Sequence, residues 1–241
     1  MSHQEQSAEK KRILILTIDY GLGHRSAAEA IASALRETYG QAAQIKLVNP
    51  LDDPRAPALL RDGQDRYDEV VQEIPELYNV SYQVSDAAAP ATIIESALTL
   101  MLYPVLRDLV REFEPDVIVS TIFMYQAPLD AVFALSEDRV PLVTVITDLV
   151  SLHELWFHEA ADRCLVPTET ARDLALEHGL AGERVRITGI PVDPALAREA
   201  GDRTALRAEL GWDPDRTTIL AVGGKRVSHL PETLHVLNHS S

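Results

Sequence analysis

The chain has 241 residues, 46% of them hydrophobic, and a formal net charge of -15 at pH 7. This length and apolar content are enough to bury a sizeable core, whereas the acidic charge excludes the broad basic surface that nucleic-acid binding needs. The single cysteine, Cys164, excludes an intrachain disulfide and fits a reducing compartment; its segment RCLVPT predicts a buried strand.

The first twelve residues, MSHQEQSAEKKR, are predicted to form a disordered tail. No hydrophobic run follows their charges, so we expect no signal peptide, and the apolar run from Ile13 to Ile18 is too short to span a bilayer. The weakly charged stretch 97–106 has about half the length of a membrane helix. We therefore expect a cytoplasmic protein that can touch a membrane but cannot cross it.

Short apolar runs rich in β-branched residues recur along the chain: RILILTI, QIKLVN, DVIVST, PLVTVIT, RCLVPT, RVRITGI and TTILAVGG. Stretches with helical spacing separate most of them, among them SAAEAIASALRETYG, APLDAVFALSED and TETARDLALEHGL. Continuous rather than alternating hydrophobicity predicts strands that are covered on both faces, as in a parallel sheet with crossover helices. The fold class is therefore α/β, a doubly wound Rossmann-like domain over residues 13–200.

Residues 64–113 interrupt this alternation. They predict two long helices separated by Pro90, with no strand between them. The second helix, IIESALTLMLYPVLRDLV, has apolar residues around most of its circumference. Core packing is the simpler interpretation of such a helix, and membrane contact is the alternative. A helical insertion of this kind commonly forms one wall of a cleft.

The last part of the chain, residues 201–241, predicts a linker with a short helix, one strand and one further helix. A lone strand and helix at the edge of a finished domain lack a partner strand. We expect this segment to be the truncated start of a second domain.

A strand-to-helix turn, ILILTIDYGLGHRS, carries the first candidate site. In a doubly wound sheet this turn faces the ligand crevice, and Gly21 and Gly23 would let the backbone turn tightly and a ligand approach closely. Ser26 replaces the third glycine of the dinucleotide fingerprint, and the P-loop lysine is missing. A nucleotide cofactor is therefore not expected.

His24 lies at the mouth of the predicted crevice. A neutral imidazole there could take a proton from a hydroxyl nucleophile, and Asp19 is a candidate for orienting the ring. A helix-capping or surface histidine is the alternative. The sequence spacing leaves both open.

The segment LTIDYGLGHRSAAEAIASAL resembles the opening motif of the diacylglycerol glycosyltransferases, the monogalactosyldiacylglycerol synthase family. These enzymes are related to the N-acetylglucosaminyltransferase that makes lipid II. The resemblance continues through EPDVIVST, through PLVTVITDLVSLHELWFHEAADRCLVPTETARDLALEHGL and through RVRITGIPVDP. It thus covers nearly all of residues 13–224.

This resemblance implies a GT-B architecture, in which an N-terminal Rossmann-like domain binds the acceptor and a C-terminal one holds the nucleotide sugar. It implies inversion at the anomeric carbon without a catalytic metal or cofactor, the UDP-sugar being a substrate. Residue by residue, it implies His24 as the catalytic histidine, to which Asp19 is added only as the candidate partner that the sequence places nearby. The acceptor-side residues that it implies are Gly21, Gly23, Asp148, His153 and Trp156.

The donor side is represented by Gly223 and Gly224, which end the last predicted strand run, TTILAVGG. Here the chain reads GGKRVSHL and lacks the acidic residue that family members usually carry after this glycine run. We expect most of the donor domain to be absent from the chain. We expect the chain to be the acceptor-binding part of a hexosyltransferase.

The segment HELWFH admits other interpretations. His153 and His158 are five residues apart, whereas the zincin motif needs a spacing of four, so no metal site is expected. Trp156 and Phe157 could form an apolar lip that contacts an acyl chain or the membrane interface. Core packing is the preferred alternative for Phe157 but not for Trp156. Asp148, at the end of a strand, could instead cap a helix or turn.

The sequence thus predicts a hexosyltransferase that acts from a UDP-sugar on a lipid acceptor, most simply diacylglycerol, in peripheral contact with a membrane. Two alternatives stay open. One is a catalytically incomplete module that binds lipid or a partner subunit, and the other is a sugar-nucleotide epimerase of the same architecture.

Overall fold

The computed structural model describes residues 10–20, 23–62, 88–136, 139–149, 152–198, 201–222 and 229–239. Within them, one sheet of six parallel strands runs in the order β2-β1-β3-β4-β5-β6. The strands are β1 (Lys11–Leu16), β2 (Ala43–Val48), β3 (Val117–Ser120), β4 (Leu142–Val145), β5 (Arg163–Val166) and β6 (Val185–Ile187). The parallel α/β prediction is confirmed.

The helices of the described residues lie between and after these strands. They are α1 (Gly23–Tyr39), α2 (Ala88–Phe113), α3 (Gln126–Ala134), α4 (Glu169–Glu177), α5 (Pro194–Arg198), α6 (Arg203–Glu209) and α7 (Leu230–His239). Residues 58–62 are also helical. Two 3₁₀ turns, Phe123–Tyr125 and Glu154–Trp156, follow β3 and β4 and belong to the site described below.

Both faces of the sheet are covered, as the continuous apolar runs predict. Ile13 and Ile15 of β1 pack with Ala28 and Ala32 of α1 on one face. The intervening residues of β1 point to the other face, where they join a cluster with α2 and α3 that includes Leu14, Leu16, Leu102, Leu106, Leu129 and Phe133. Alternate side chains of one strand therefore serve two apolar layers.

Strand β1 begins at Lys11, before the predicted domain boundary at residue 13. The Asp116 carboxylate accepts hydrogen bonds from Arg12 N at 2.7 Å and Lys11 Nζ at 3.2 Å. These two residues, predicted to lie in the tail, are therefore part of the sheet.

The predicted strand TTILAVGG is wrong over the part that the structure describes. Residues 217–222 are exposed and do not form a strand. A strand needs a neighbour for its backbone groups, and none of the described strands pairs with this run. The helix predicted after it is present as α7.

Helix α2 confirms the second helix of the predicted insertion. Pro90, predicted to separate the two helices, lies in its first turn, where a missing N–H costs no helical hydrogen bond. The first predicted helix falls in residues 63–87, outside the described residues. One face of α2 packs in the core through residues such as Leu102 and Leu106, whereas Ile93 and Leu100 are exposed.

No helix within the described ranges is both long and apolar enough to cross a membrane.

Cys164 lies in the core as predicted, and burial raises the pKa of its thiol to about 12. It remains a protonated core side chain at neutral pH.

Candidate functional site

The carboxyl ends of β1, β3 and β4 form a crevice with the first turn of α1. In parallel α/β sheets, ligands bind at this edge. His24 comes from α1, Thr121 directly follows β3, and Thr147 and Asp148 follow β4. Residues far apart in the sequence therefore meet around one imidazole ring.

The His24 ring is held through its Nδ1 atom. Nδ1 lies 2.7 Å from the carbonyl oxygen of Thr121 and 3.0 Å from Oγ1 of Thr147. A carbonyl oxygen can only accept a hydrogen bond, so Nδ1 carries the hydrogen. The neutral ring then has its lone pair on Nε2, the form required to accept a proton.

The backbone of His24 is fixed by the same neighbour. Thr121 Oγ1 donates to the His24 carbonyl at 3.1 Å. Together with the bond at Nδ1, this contact fixes both the main chain and the side chain of His24 to Thr121, the residue that follows β3. The ring therefore has a defined orientation at the crevice.

Burial lowers the pKa of His24 below its ordinary value of 6.5. The hydrogen bond to the Thr121 carbonyl and the negative charge of Asp148 act in the opposite direction and raise it. The net effect keeps the imidazole neutral at pH 7 and able to act as a base.

Asp148 is fixed by Trp156, whose indole Nε1 donates to Oδ2 of Asp148 at 2.8 Å. The Trp156 ring lies 6.3 Å from the His24 ring, measured between centroids, and makes an edge contact with Phe123. The site therefore combines a carboxylate that favours the protonated imidazole with a donor that holds this carboxylate.

The interpretation of Trp156 as an exposed lip is wrong. Its side chain is 0% exposed and packs among Ile146, Leu152 and Phe157. The indole needs a partner for its N–H when buried, and Asp148 supplies it. Core packing, favoured from the sequence only for Phe157, applies to both aromatic residues.

The prediction that Asp19 orients His24 is also wrong. Asp19 receives two hydrogen bonds of 2.7 Å from Arg25, one on each carboxylate oxygen, and a 3.4 Å bond from Nδ2 of Asn49. The hydrogen bonds from Arg25 are the main cause that lowers the pKa of Asp19. A bidentate arginine is the stronger partner for a carboxylate, and the charge that acts on His24 comes from Asp148.

We expect Asp148→Asn to lower the pKa of His24 further, because it removes a charge that stabilises the imidazolium. A ¹H–¹³C NMR titration of the His24 ring measures this shift. The acid limb of any reaction that uses neutral His24 should move to lower pH with it.

Asp19→Asn is the matched control for this titration. It makes the same chemical change on the carboxylate that is paired with Arg25, and it should leave the pKa of His24 unchanged. A larger shift with Asp19→Asn than with Asp148→Asn would restore Asp19 as the partner of the ring.

His153, predicted on the acceptor side, is almost completely buried. Its ring stacks on Phe123 with 5.2 Å between centroids, and its Nδ1 accepts from Leu155 N at 3.2 Å. His158 similarly accepts from Ala160 N at 3.1 Å. Both imidazoles therefore stabilise local turns, and the described residues contain no cluster of three or more metal-binding side chains.

The glycines of the turn are only partly described. Gly23 is the first residue of α1, and a Cβ added there would meet no atom within 4 Å. Within the described residues, the space around Gly23 therefore does not require a glycine, and the close approach of a ligand there stays a prediction. Gly21, Gly223 and Gly224 lie outside the described residues.

A cleft of about 390 Å³, which His24 does not line, lies beside Arg25 at the end of β2 and along α2. Its lining combines apolar side chains with charged ones and includes Arg25, Leu47, Asp52, Arg55, Val105 and Leu109. Both arginines are held in ion pairs, Arg25 with Asp19 and Arg55 with Asp53 and Asp108. With Asp52, Asp53 and Glu112 also in the lining, the cleft has more acidic than basic side chains beside its apolar ones.

Sequence reasoning missed Thr121, Thr147 and Gln126. Thr121 and Thr147 are the last residues of the predicted strand runs DVIVST and PLVTVIT. A hydroxyl side chain at the carboxyl end of a parallel strand could have identified them as site residues. Gln126 begins α3, is fully buried, and donates through Nε2 to the carbonyls of Leu155 and Trp156. No sequence pattern marks a buried glutamine.

The sheet and the crevice define a Rossmann-like α/β domain with a neutral histidine at its ligand-binding edge. The chain belongs to the monogalactosyldiacylglycerol (MGDG) synthase family, since the model of that family matches residues 24–192.

Curated relatives extend this match over most of the chain. It is 33% identical over 224 residues to "Probable monogalactosyldiacylglycerol synthase 2, chloroplastic" of Oryza sativa subsp. japonica, covering 91% of this chain and 47% of that protein. It is 31% identical over 219 residues to monogalactosyldiacylglycerol synthase of Spinacia oleracea, covering 89% and 41%. It is 31% identical over 230 residues to monogalactosyldiacylglycerol synthase 2 of Arabidopsis thaliana, covering 94% and 49%. The chain spans about half the length of these relatives.

Among solved structures, the chain aligns with Anabaena Alr3699/HepE in complex with UDP-glucose. The TM-score is 0.42, with 14% sequence identity over 83% of this chain and 50% of that chain. This likeness is too distant to support an inference about ligands.

Proposed function

We propose that this chain is the acceptor-side part of an inverting hexosyltransferase that moves a hexose from a UDP-sugar to the hydroxyl of a lipid, diacylglycerol in the simplest case. Membership of the MGDG synthase family supports the reaction class. The observation that carries the assignment of a base is the bond between His24 Nδ1 and the Thr121 carbonyl, which leaves Nε2 free of a hydrogen.

In the proposed reaction, Nε2 of His24 takes the proton of the acceptor hydroxyl as its oxygen attacks the anomeric carbon of the sugar. The bond from that carbon to the diphosphate breaks, and UDP leaves with the electron pair. A single displacement of this kind inverts the anomeric centre. The Asp148 charge stabilises the imidazolium that forms, because it favours the protonated ring.

The cleft beside Arg25 supports an uncharged acceptor. Its apolar lining residues can contact the start of an acyl chain, while its paired charges offer hydrogen bonds to glycerol oxygens. The UDP-sugar enters the proposal as a substrate held mainly by the donor domain, with Gly223 and Gly224 as the proposed contacts. No metal or other cofactor takes part in the reaction as proposed.

The proposed place of action is the cytoplasmic surface of a membrane. Leu100 is 81% and Ile93 70% exposed on the outer face of α2, which gives this helix apolar contacts for a lipid surface. The basic residues of the N-terminal segment are less suited to this role, since Lys11 and Arg12 pair with Asp116 and Glu114. For a chain of net charge -15, apolar contact is the more favourable attachment.

We expect Leu100→Asp to weaken association with phosphatidylcholine vesicles by about tenfold, because it replaces an inserted apolar side chain by a charge. Co-sedimentation with vesicles measures the bound fraction. Leu135→Asp is the matched control, since Leu135 is 76% exposed just after α3. Equal loss in both variants would contradict docking through α2.

Transfer of labelled hexose to lipid tests the proposed function. The complete gene product is the protein to use, since the chain spans about half the length of its curated relatives. It is incubated with vesicles that contain diacylglycerol and with labelled UDP-galactose or UDP-glucose. Label in the lipid extract supports the proposal and identifies the sugar. No label from either donor, with folded protein, would overturn it.

A further inference from the structure

Gln126 is a buried polar side chain that the proposed reaction does not use. It is the first residue of α3 and is 0% exposed. Its backbone N–H is itself bonded, to the carbonyl of Phe123 in the preceding 3₁₀ turn. The position of the side chain is therefore set by two joined helical elements.

The Gln126 amide holds the 3₁₀ turn that carries Trp156. Its Nε2 donates to the carbonyl of Leu155 at 3.4 Å and to that of Trp156 at 3.2 Å. The Gln126 Oε1 atom is buried and has no partner in the described part of the chain. Burying an unpaired oxygen is unfavourable. The two hydrogen bonds donated by Nε2 are therefore what favours glutamine over an apolar residue of the same size.

This turn leads directly to His24. Trp156 Nε1 donates to Asp148 Oδ2 at 2.8 Å, and the Trp156 ring lies 6.3 Å from the His24 ring. Asp148 is the residue whose charge acts on His24. A series of contacts thus connects Gln126 of α3 with the Trp156 turn, the Asp148 carboxylate and the His24 ring.

We propose that Gln126 is a positioning residue: it holds the backbone of the Trp156 turn, so that the Trp156 indole fixes the Asp148 carboxylate at the place from which it faces His24. The inference deepens the proposed function, on which its catalytic meaning rests. Gln126 itself contacts neither the acceptor nor the reacting atoms.

A double-variant titration on the 241-residue chain tests this positioning. The effect of Asp148→Asn on the His24 pKa is measured by ¹H–¹³C NMR in the wild-type chain and again in Gln126→Met. Methionine has a similar volume but donates no hydrogen bond. Since both measurements compare variants within one background, any change in the burial of His24 caused by Gln126→Met cancels.

We expect the effect of Asp148→Asn to fall to less than about half in the Gln126→Met background, because Asp148 is then no longer fixed near the ring. The Gln41→Met background is the control, since Gln41 is exposed in the 3₁₀ turn that precedes β2. There the effect of Asp148→Asn should equal that in the wild-type chain.

An equal effect of Asp148→Asn in all three backgrounds would overturn the proposal and leave Gln126 with a purely structural role. If Gln126→Met does not fold, Gln126→Asn replaces it, because the shorter amide cannot reach the two carbonyls. The titration reads protonation and not turnover. Loss of the coupling together with absent hexose transfer would therefore reject the proposed function alone, and the reverse result would reject the role of Gln126 alone.

Discussion

His24→Ala is expected to lower hexose transfer to lipid by about 10²-fold or more, because it removes the atom that accepts the proton of the acceptor hydroxyl. The fold should be retained, since His24 lies in the first turn of α1 and is only partly buried. Initial rates with labelled UDP-sugar and diacylglycerol vesicles measure the effect. Far-ultraviolet circular dichroism checks the fold.

His229→Ala is the control for this prediction. His229 is exposed and bonded to Glu232 beside α7, so its removal should not change the rate. His24→Asn adds a second test, since its amide can still donate to the Thr121 carbonyl but cannot accept a proton at neutral pH. An unchanged rate in His24→Ala would remove the base from the mechanism.

Trp156→Ala is expected to lower the free energy of unfolding by about 3–5 kcal/mol, the range for deleting a fully buried aromatic side chain. The loss has two sources. The cluster around Ile146, Leu152 and Phe157 is left with a cavity, and the Asp148 carboxylate loses its indole donor. Urea unfolding followed by circular dichroism measures the change.

Trp212→Ala provides the comparison within the same chain. Trp212 is 40% exposed, and its truncation should cost less than about 1 kcal/mol. If the two tryptophan variants lose similar stability, Trp156 is not the anchor of its cluster. A stable Trp156→Ala variant that fails only to bind lipid would instead return Trp156 to the acceptor surface.

The fold was largely predictable because parallel strands buried on both faces leave a strong local signal. Six of the seven apolar runs became strands, and the helices between them cover the two faces. The run at 217–222 has the same local pattern but forms no strand. The pattern reports burial and β propensity, whereas a strand also needs a neighbour, which no single run encodes.

The site was predictable in position but not in its contacts. A histidine after the first strand had to lie near the crevice, because the topology of the sheet places that turn there. Its partners follow from pairing between distant strands: Thr147 is 123 residues from His24, whereas the nearby Asp19 bonds Arg25. Nearness in sequence suggested the wrong carboxylate. The burial of Trp156 likewise depends on how its 3₁₀ turn packs, which local hydrophobicity does not determine.

The central place of β1 in the sheet has a consequence for how the chain is made. Among the six described strands, β1 leaves the ribosome first, and β2 can pair with it soon afterwards. Its second neighbour, β3, follows much later: Arg12 and Asp116, bonded in the folded protein, are 104 residues apart. At about 5–20 residues per second, this interval is roughly 5–20 s. During translation, one edge of β1 and its apolar side chains therefore stay exposed until β3 has been made, and exposed edges and apolar surfaces of this kind are prone to aggregation.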